Sequence, residues 1–311
     1  MTSHPGVAIM GATATGKSRV AIALARSFGA EIISMDSRQV YRGLDVGTAK
    51  VSAGERAQVV HHLIDVLDPA EANSAGRHVT LALEAGRAIA AGGGLAFFVG
   101  GTGLYFRALF EGLIDARIPE DALRQIRERM DTRSTTELYA ELQERDPERA
   151  DELSSNDRVR VARALEIHDY TGSAHSSLIK GQEATGWHGL RIVLTLPRAQ
   201  LRRRIAQRTR EMFDAGWVEE VARLLEAGVS VKAPAMRSLG YGVIAGAIVS
   251  GKEPRDTIED VVTQTQQYAK RQETFFRSVA GAHWVDVSKD EPVRMISELL
   301  ESSDDFKSHL T

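Results

Sequence analysis

The octapeptide GATATGKS, residues 11–18, is the most informative stretch of this 311-residue chain. It fits the phosphate-loop pattern: a glycine, four residues, a second glycine, a lysine, and a serine or threonine. An apolar run at 6–10 precedes it as a predicted strand, and 17–28 follows with apolar residues at helical spacing. A turn between strand and helix directs backbone N–H groups at one point, where the helix dipole also favours an anion. The octapeptide therefore predicts a phosphate-binding site.

Composition narrows the classes of protein that this chain can belong to. Hydrophobic residues make up 43% and charged residues 26%, which is typical of a globular protein. Since no apolar run approaches the roughly 20 residues of a membrane span, we expect no membrane partner. The absence of cysteine excludes disulfides and thiolate metal sites and favours a reducing, cytoplasmic location.

The net charge of −3 gives no overall attraction to nucleic acid, yet basic residues form three clusters. Such clusters indicate either solvated helix faces or an anionic ligand larger than a nucleotide. Arg204 and Arg208, four residues apart on one predicted helix, are candidates for a phosphate clamp, with a solvated face as the alternative. The clusters are Arg198, Arg202, Arg203, Arg204, Arg208 and Arg210; Arg158, Arg160 and Arg163; and Lys270, Arg271 and Arg277.

Alternating patterns predict an α/β fold with a parallel sheet covered by helices. Between residues 120 and 170 the pattern is wholly helical, so we expect an all-helical lobe, 119–188, inserted into a core of 1–118 and 189–311. The segment 171–188 has no clear pattern, and the polar end, 301–311, is expected to fray. Predicted strands are 7–10, 31–34, 62–66, 95–100, 191–196 and 283–287; predicted helices of the core are 18–28, 78–91, 198–227 and 256–279.

Two further segments place polar side chains at the carboxyl ends of predicted strands, where parallel sheets bind ligands. Asp36 follows one strand and could bind magnesium, act as a general base or cap a turn. Thr102 follows glycines that allow another backbone to approach, although a tight structural turn explains it equally well. Asp65 is a weaker magnesium candidate. Adjacent His61 and His62 point to opposite faces of a strand and cannot share a metal.

Taken together, seven segments resemble the bacterial tRNA dimethylallyltransferases, also called tRNA isopentenyltransferases or the IPP transferase family. The resemblance runs from residue 11 to about residue 277 and implies a P-loop NTPase-like fold. Departures are Ala12, where the family usually has proline, Met35, where it often has alanine, and Phe275, where tryptophan is common. In chain order the segments are GATATGKS, ISMDSRQVYRGLDVGTAK, HHLIDV, FFVGGTGLYFRALFEG, NDRVRVARALEI, RSLGYGV and QYAKRQETFFR.

The resemblance implies transfer of a dimethylallyl group from dimethylallyl diphosphate to an adenine beside the anticodon of tRNA. It implies Mg²⁺ held by Ser18 and catalytic roles for Asp36, the general base, Lys17 and Thr102. For the diphosphate it implies Gly11, Ala12, Thr13, Ala14, Thr15, Gly16, Lys17, Ser18 and, by our own assignment, Arg208. For the tRNA it implies Asp36, Ser37, Arg38, Gln39, Thr102, Arg124, Val159, Arg160, Val161, Ala162, Arg163, Arg237, Ser238, Leu239, Gly240, Tyr241, Gly242, Lys270, Arg271 and Arg277.

Three alternatives stay open at this point. An isopentenyltransferase that acts on free adenine nucleotide would not need the predicted helical lobe. A small-molecule kinase would use ATP at the same phosphate loop and would need an arginine-rich lid, for which we find no clear motif. An RNA-binding module with a vestigial loop would leave Lys17, Ser18 and Asp36 unexplained. We expect the anticodon stem-loop of tRNA as partner and a monomeric enzyme.

Overall fold

The computed structural model describes residues 4–112, 116, 118–180, 186–289 and 291–309. Within these residues, seven parallel strands form one sheet. Six of them follow the order β3-β2-β4-β1-β6-β7, and β5 pairs with the first residues of β1, ahead of those that pair with β6. The strands are β1 His4–Gly11, β2 Glu31–Ser34, β3 His61–His62, β4 Ala96–Gly100, β5 Trp187–His188, β6 Arg191–Thr195 and β7 Ala282–Asp286. The predicted parallel sheet is confirmed.

Helices connect and cover the strands. They are α1 Lys17–Phe28, α2 Ala53–Arg56, α3 Ala75–Ala91, α4 Gly103–Glu111, α5 Glu120–Asp131, α6 Thr135–Arg145, α7 Pro147–Asp151, α8 Arg158–Thr171, α9 His175–Lys180, α10 Arg198–Asp214, α11 Trp217–Glu226, α12 Tyr241–Val249, α13 Ile258–Phe276 and α14 Pro292–Ser302. Short 3₁₀ turns lie at Ala235–Arg237, Pro254–Thr257 and Asp304–His309.

Successive residues of β1 enter two different hydrophobic clusters because strand side chains alternate between faces. Val7 and Ile9 pack with residues of α1 and α14, whereas Ala8 and Met10 pack with residues of α3 and α4. All four side chains are at most 1% exposed. Burial on both faces is what a parallel sheet between two helical layers requires, and it explains the unbroken apolar run in the sequence.

The sheet order places three functional loops at one edge. β4 lies between β2 and β1, so the loops after these three strands emerge side by side. Those loops carry the phosphate loop, Asp36 and Thr102. Met10 pairs with Gly100 in the last register position between β1 and β4, and Ser34 pairs with Val99 between β2 and β4. Segments that are distant in sequence therefore meet without any long loop.

Several predicted elements were wrong in extent. The strand predicted at 62–66 ends at His62 because Leu63 and Asp65 adopt left-handed φ values of 61° and 57°. The single helix predicted over 198–227 is two helices, interrupted at Ala215 and Gly216. The unpatterned segment 171–188 contains α9 and strand β5, while Gly181 lies outside the described residues.

The C-terminal end does not fray as predicted. Phe306 lies in the last 3₁₀ turn, is 0% exposed and belongs to the hydrophobic cluster under α1 and α14. One aromatic residue in a polar stretch gives no periodic pattern, which is why the sequence did not indicate this contact. Leu310 and Thr311 lie outside the described residues.

The chain divides into two compact units, which we name the core unit (Met1–Phe110 with Gly186–Thr311) and the helical unit (Glu111–Thr185). The helical unit has its own apolar core, to which Ile126, Leu138, Leu142 and Leu165 contribute. Three of its helices, α6, α7 and α8, begin at side-chain caps. Ser134 forms a reciprocal capping box with Glu137 at α6, which satisfies two otherwise unpaired backbone N–H groups.

In the part of the chain that the structure describes, no helix is both long enough and apolar enough to cross a membrane.

We expect the C-terminal turn to contribute measurably to stability. Phe306→Ala should lower the free energy of unfolding by about 3–5 kcal/mol, since a buried aromatic side chain is lost and a cavity is left. Met295→Ala is the matched control because Met295 lies on neighbouring α14 and is 44% exposed. Urea unfolding followed by circular dichroism measures both variants. Equal losses for the two would contradict the packing described for Phe306.

Candidate active site

The phosphate loop joins β1 to α1 and is curled by its own polar groups. The Thr15 hydroxyl and Lys17 Nζ both donate to the Ala12 carbonyl oxygen, each at 2.8 Å. Ala14 adopts a φ of 63°, a left-handed conformation that costs a non-glycine residue about 1–2 kcal/mol. Thr13 and Ala14 form part of the wall of a cavity. Strain of this kind persists where surrounding contacts fix the loop shape that a site needs.

Two other charged side chains affect the pKa of Lys17. Desolvation lowers its pKa from 10.5 to about 8, the Asp36 carboxylate raises it, and the Arg208 guanidinium lowers it. Desolvation also lowers the pKa of Arg208, while Asp36 and Glu211 raise it. Two cationic groups thus share one carboxylate. An added dianion would relieve the repulsion between Lys17 and Arg208, so the electrostatics favour binding of a diphosphate.

Asp36 uses its two carboxylate oxygens differently. Oδ1 accepts hydrogen bonds from the backbone N–H groups of Arg38 at 2.8 Å and Gln39 at 3.3 Å, as a turn-capping aspartate does. Among the described residues, none donates a hydrogen bond to Oδ2. The capping role and the role of general base are therefore compatible, because each needs a different oxygen.

The residues after Asp36 are held by their own contacts. The Ser37 backbone N–H donates to the Thr102 hydroxyl at 3.2 Å, and Arg38 donates to the Pro234 carbonyl at 3.4 Å. Gln39 donates from Nε2 to the carbonyls of residues 48 and 49, each at 3.3 Å. The amide donors of Gln39 are therefore used within the protein, which leaves its side-chain oxygen for any contact with tRNA.

Thr102 reaches this group because the backbone before it approaches β2 closely. A Cβ on Gly100 would lie 2.1 Å from the Met35 carbonyl oxygen, so only glycine fits there. The Thr102 backbone N–H then donates to that same oxygen at 3.3 Å. The Thr102 hydroxyl accepts from the Ser37 backbone N–H. These contacts place Thr102 beside the Asp36 turn.

A cavity of about 580 Å³ opens between the phosphate loop, the Asp36 turn, α10, α12 and α13. Arg208 lines it, and its guanidinium makes no hydrogen bond within the described residues. Arg204 does not line it and is exposed, so the predicted two-arginine clamp is wrong in that member. The wall also contains apolar groups that sequence reasoning missed: Ile205, Met212, Trp217, Met236 and Val243.

Most of the segment Arg237–Gly242 lines the cavity, but Tyr241 does not. Tyr241 is 0% exposed, and its hydroxyl donates to Glu220 Oε1 at 2.5 Å. Glu220, itself 3% exposed, also accepts from the backbone N–H groups of residues 45, 46 and 47. The Tyr241 side chain therefore stabilises the turn at 45–47, and contact of the segment Arg237–Gly242 with tRNA stays a prediction.

On α13 the predicted basic residues differ in position. Arg271 lines the cavity and lies over the Tyr268 ring at 5.8 Å. Lys270 lines a separate depression between α10 and α13, and Arg277 is exposed near the end of the helix. Tyr268 and Gln272 also face the functional loops; both lie in the helical stretch 267–277, for which the resemblance implies contact with tRNA, but neither has an individual role predicted from the sequence. The segment QYAKRQETFFR contains both, and helical spacing alone could not say which residues face inward.

In the helical unit, two of the predicted tRNA-binding residues, and Arg158 of the same basic cluster, have structural roles. Arg158 donates to the Met130 carbonyl in the last turn of α5 and to the Arg133 carbonyl just beyond that helix. Arg163 pairs with Glu166, whose side chain is 4% exposed. Val161 is 0% exposed within the apolar core of the unit. The Val161 side chain therefore belongs to the packing of the unit, and contact of the segment 159–163 with RNA stays a prediction.

Other predicted residues of the helical unit are accessible. Val159 is 80% exposed. The Arg160 side chain is 68% exposed, with one ion pair to Asp157 at 3.3 Å. Arg124 is exposed and makes no ion pair within the described residues, and Ala162 is half-buried. Arg124 and Arg160 are consequently the basic side chains that an RNA backbone could reach without disturbing the unit.

Asp65 is not a magnesium ligand in this arrangement. Its carboxylate pairs with Lys50 at 2.5 Å and with Arg56 at 3.0 Å, and it does not line the cavity. His62 pairs with Glu31 at 2.6 Å, and His61 contacts the Val59 carbonyl. Over the described ranges, no group of three His, Cys, Asp or Glu side chains could hold a metal ion.

Ser18 fits a magnesium ion that is held mainly by phosphate oxygens. It is the second residue of α1, is exposed, and its hydroxyl has no hydrogen-bond partner within the described residues. A hydroxyl oxygen is the hard ligand that Mg²⁺ prefers, and Mg²⁺ keeps several waters and substrate oxygens rather than an all-protein cage. The single protein oxygen offered here is consistent with that mode.

Known protein families match most of the chain. The family model described as IPP transferase matches residues 39–279, and one described as isopentenyl transferase matches residues 6–65. A tRNA dimethylallyltransferase of Thermomicrobium roseum is 40% identical over 96% of this chain and 91% of its own length. One of Myxococcus xanthus is 44% identical over 88% of this chain and 90% of its own length.

Solved structures agree with these matches. A tRNA isopentenylpyrophosphate transferase of Bacillus halodurans covers 99% of this chain with a TM-score of 0.72 and 32% identity, over 98% of its own length. A eukaryotic dimethylallyltransferase, solved while acting on tRNA, reaches a TM-score of 0.82 with 26% identity and covers 99% of this chain. The match extends over 81% of that eukaryotic chain.

The pKa of Lys17 predicts how diphosphate binding depends on pH. Because that pKa is about 8, Lys17 loses its charge above pH 8, and a bound dianion would favour the protonated form. Affinity for inorganic diphosphate should therefore fall with rising pH above 8, by up to about ten-fold per unit, with proton uptake on binding. Isothermal calorimetry in buffers of different ionisation enthalpy measures both quantities.

Lys17→Arg is the control for that measurement, since arginine stays charged throughout and the titration of diphosphate itself is common to both proteins. Its affinity should depend on pH less steeply than that of the wild type between pH 8 and pH 10. Identical pH profiles for the two proteins would contradict the assignment to Lys17.

Proposed function

The chain belongs to the IPP transferase family, and we propose on this basis that it transfers the dimethylallyl group of dimethylallyl diphosphate to tRNA, releasing diphosphate. The acceptor is the exocyclic amine of the adenine 3′-adjacent to the anticodon in tRNAs that read codons beginning with U. One observation carries the proposal. A carboxylate with one unpaired oxygen lines the same cavity as the phosphate loop and a desolvated arginine.

On the donor side, the chain supplies charge where the leaving group develops it. Cleavage of the bond between the allylic carbon and the diphosphate leaves negative charge on the diphosphate oxygens. Lys17 belongs to the phosphate loop and Arg208 lines the cavity that this loop borders, so both charges are in place before the bond breaks. Such preorganised cations stabilise the transition state more than the ground state, which is the condition for catalysis.

Magnesium supports the same step. When bound, Mg²⁺ would neutralise charge on the diphosphate and thereby make it a better leaving group. Ser18 Oγ is the protein oxygen that would hold the ion, with diphosphate and water oxygens completing its coordination. Asp65 takes no part, because Lys50 and Arg56 already pair with it.

On the acceptor side, Asp36 is the base. The exocyclic amine of adenine is a weak nucleophile because its lone pair is delocalised into the ring. As the new C–N bond forms, the nitrogen must lose a proton, and Asp36 Oδ2 is available to accept it. Thr102, whose hydroxyl accepts from the Ser37 backbone N–H directly after Asp36, would help to orient the base.

The adenine must leave the stacked anticodon loop before it can enter the cavity. We propose that the exposed basic residues of the helical unit hold the RNA backbone while the base is displaced, as phosphate contacts commonly do. The cavity contains both polar and apolar wall groups, which suits a flipped base and an apolar five-carbon chain. We further propose that the enzyme acts in the cytoplasm as a monomer.

Substrate consumption separates this function from its alternatives. The purified protein is incubated with labelled dimethylallyl diphosphate or labelled ATP, with tRNA, with free adenine nucleotide, or with neither. The proposal is supported if label passes from dimethylallyl diphosphate to tRNA and to no other acceptor. Transfer to free nucleotide at a comparable rate would favour the free-nucleotide enzyme, and consumption of ATP would favour a kinase.

Asp36→Asn tests the base. The amide oxygen of asparagine can still accept from Arg38 and Gln39, so the turn should be kept while the proton acceptor is lost. Single-turnover transfer should slow by about 10²–10⁴-fold, the usual contribution of a positioned base. Binding of tRNA and of diphosphate, measured separately, should stay within about three-fold. A variant with normal turnover would reduce Asp36 to a turn cap.

Arg124→Glu combined with Arg160→Glu tests the helical unit. We choose these two over Arg163, because Glu in place of Arg163 would face the buried Glu166. Each lost phosphate contact should reduce the slope of log affinity against log salt by about one unit, so the double variant should lose about two. Filter binding of an anticodon stem-loop at several salt concentrations measures the slope.

The matched control is Arg223→Glu combined with Lys252→Glu. Both residues are exposed on the core unit and lie outside the cavity wall, and their reversal changes the net charge by the same amount. If the two double variants bind the stem-loop equally well, the helical unit has no specific part in RNA binding. The free-nucleotide alternative would then gain support.

A further inference from the structure

Gln272 connects the phosphate loop to the turn that carries Thr102. It lies on α13 and is 7% exposed. Its Oε1 accepts from the Thr13 backbone N–H at 2.9 Å, and its Nε2 donates to the Gly101 carbonyl at 2.8 Å. The acceptor and the donor of the amide thus both have partners within the protein. Gln272 is therefore suited to hold loops in place rather than to contact substrate.

The bridge begins where the sheet stops. Met10 and Gly100 are the last residues that β1 and β4 pair, and beyond them the two backbones separate into different loops. The Gln272 amide then offers one acceptor and one donor to Thr13 and Gly101, as a peptide unit of an intervening strand would. The side-chain amide of Gln272 thus takes the place of a backbone amide. It fixes the spacing of the two loops beyond the last hydrogen-bonded pair of β1 and β4.

The hydrogen-bonded bridge formed by Gln272 requires a glycine at position 101. A Cβ on Gly101 would lie 2.3 Å from Gln272 Nε2, closer than real Cβ atoms approach. The glycine and the glutamine thus fit as a pair. Through Gly101 the bridge acts on Thr102, whose hydroxyl accepts from Ser37 beside Asp36.

We propose that Gln272 is a positioning residue that sets the distance between the diphosphate site and the Asp36–Thr102 group. The inference rests on the function proposed above, in which the donor carbon and the acceptor nitrogen must meet between these two groups. Misplacement of reacting groups by about 1 Å can cost about 10²-fold in rate. Loss of the bridge should therefore slow transfer without weakening the binding of either substrate.

Gln272→Met removes the bridge while keeping a side chain of similar length. Single-turnover transfer, measured well below the unfolding temperature, should slow by about 10–100-fold. The dissociation constants of inorganic diphosphate and of an anticodon stem-loop should stay within about three-fold of the wild type. Gln58→Met, at an exposed position of the core unit, is the control for a generic glutamine replacement. Equal transfer by the Gln272 and Gln58 variants would overturn the proposal.

Gln272→Glu gives a pH-dependent rescue that a purely structural role would not produce. The ionised carboxylate can accept from Thr13 but repels the Gly101 carbonyl, whereas the protonated acid can accept from one and donate to the other. The ratio of variant to wild-type rate should therefore rise by about ten-fold or more as pH falls from 8.5 to 6. The ratio cancels the pH dependence that both proteins share. A slow variant whose ratio does not change with pH would contradict the bridge.

Gly101→Ala tests the same pairing from the other side. Its new Cβ should displace the Gln272 amide and slow transfer, and Gln272→Ala should remove the clash along with the bridge. The double variant should then be no slower than the slower single variant, since both changes break one interaction. Rates that multiply would show independent effects and would count against the proposal. An inactive wild type would instead refute the proposed function itself.

Discussion

The close approach of β4 to the end of β2 is the constraint on which the site depends. At Gly100 a single Cβ would collide with the Met35 carbonyl oxygen, and this carbonyl accepts the Thr102 backbone N–H instead. Asp36, the residue after Met35, is thereby held next to Thr102. Any side chain at Gly100 would separate the strand ends and move Asp36 away from its neighbours. The apolar sheet beneath cannot absorb such a shift, because both of its faces are buried.

The sequence predicted much of the fold for physical reasons that can be named. Buried parallel strands appear in the sequence as apolar runs, and the phosphate loop has a strict pattern. The strands β1, β2 and β4 and the order of the elements could therefore be predicted. Left-handed residues such as Leu63 and Asp65 have no sequence signature, which is why β3 was predicted too long. Phe306 was missed for a related reason, since a single buried aromatic residue has no period.

The site was less predictable than the fold because side-chain partners are set by tertiary contacts. Spacing placed Arg158, Arg160 and Arg163 on one helix, yet only packing shows that Arg158 caps α5 and Arg163 pairs with Glu166. Tyr241 lies in a motif that resembles an RNA contact, but the Glu220 carboxylate holds its hydroxyl in the interior. Gln272 was visible only as one letter of a matching segment. Which residue of a motif faces ligand and which supports it is a three-dimensional property.

A phosphate loop suits the proposed transfer because the role it would perform is to stabilise a departing anion. The bond that breaks lies between carbon and oxygen, so no phosphorus centre is attacked and no water or hydroxyl needs to be aligned behind a phosphate. What the reaction needs from this end of the cavity is fixed positive charge, which Lys17 and Arg208 provide. Asp36, the proposed base, lies on a separate loop that is held by its own hydrogen bonds. The Thr13 backbone N–H already donates a hydrogen bond to Gln272. This N–H group of the phosphate loop therefore fixes the shape of the loop and does not bind the diphosphate.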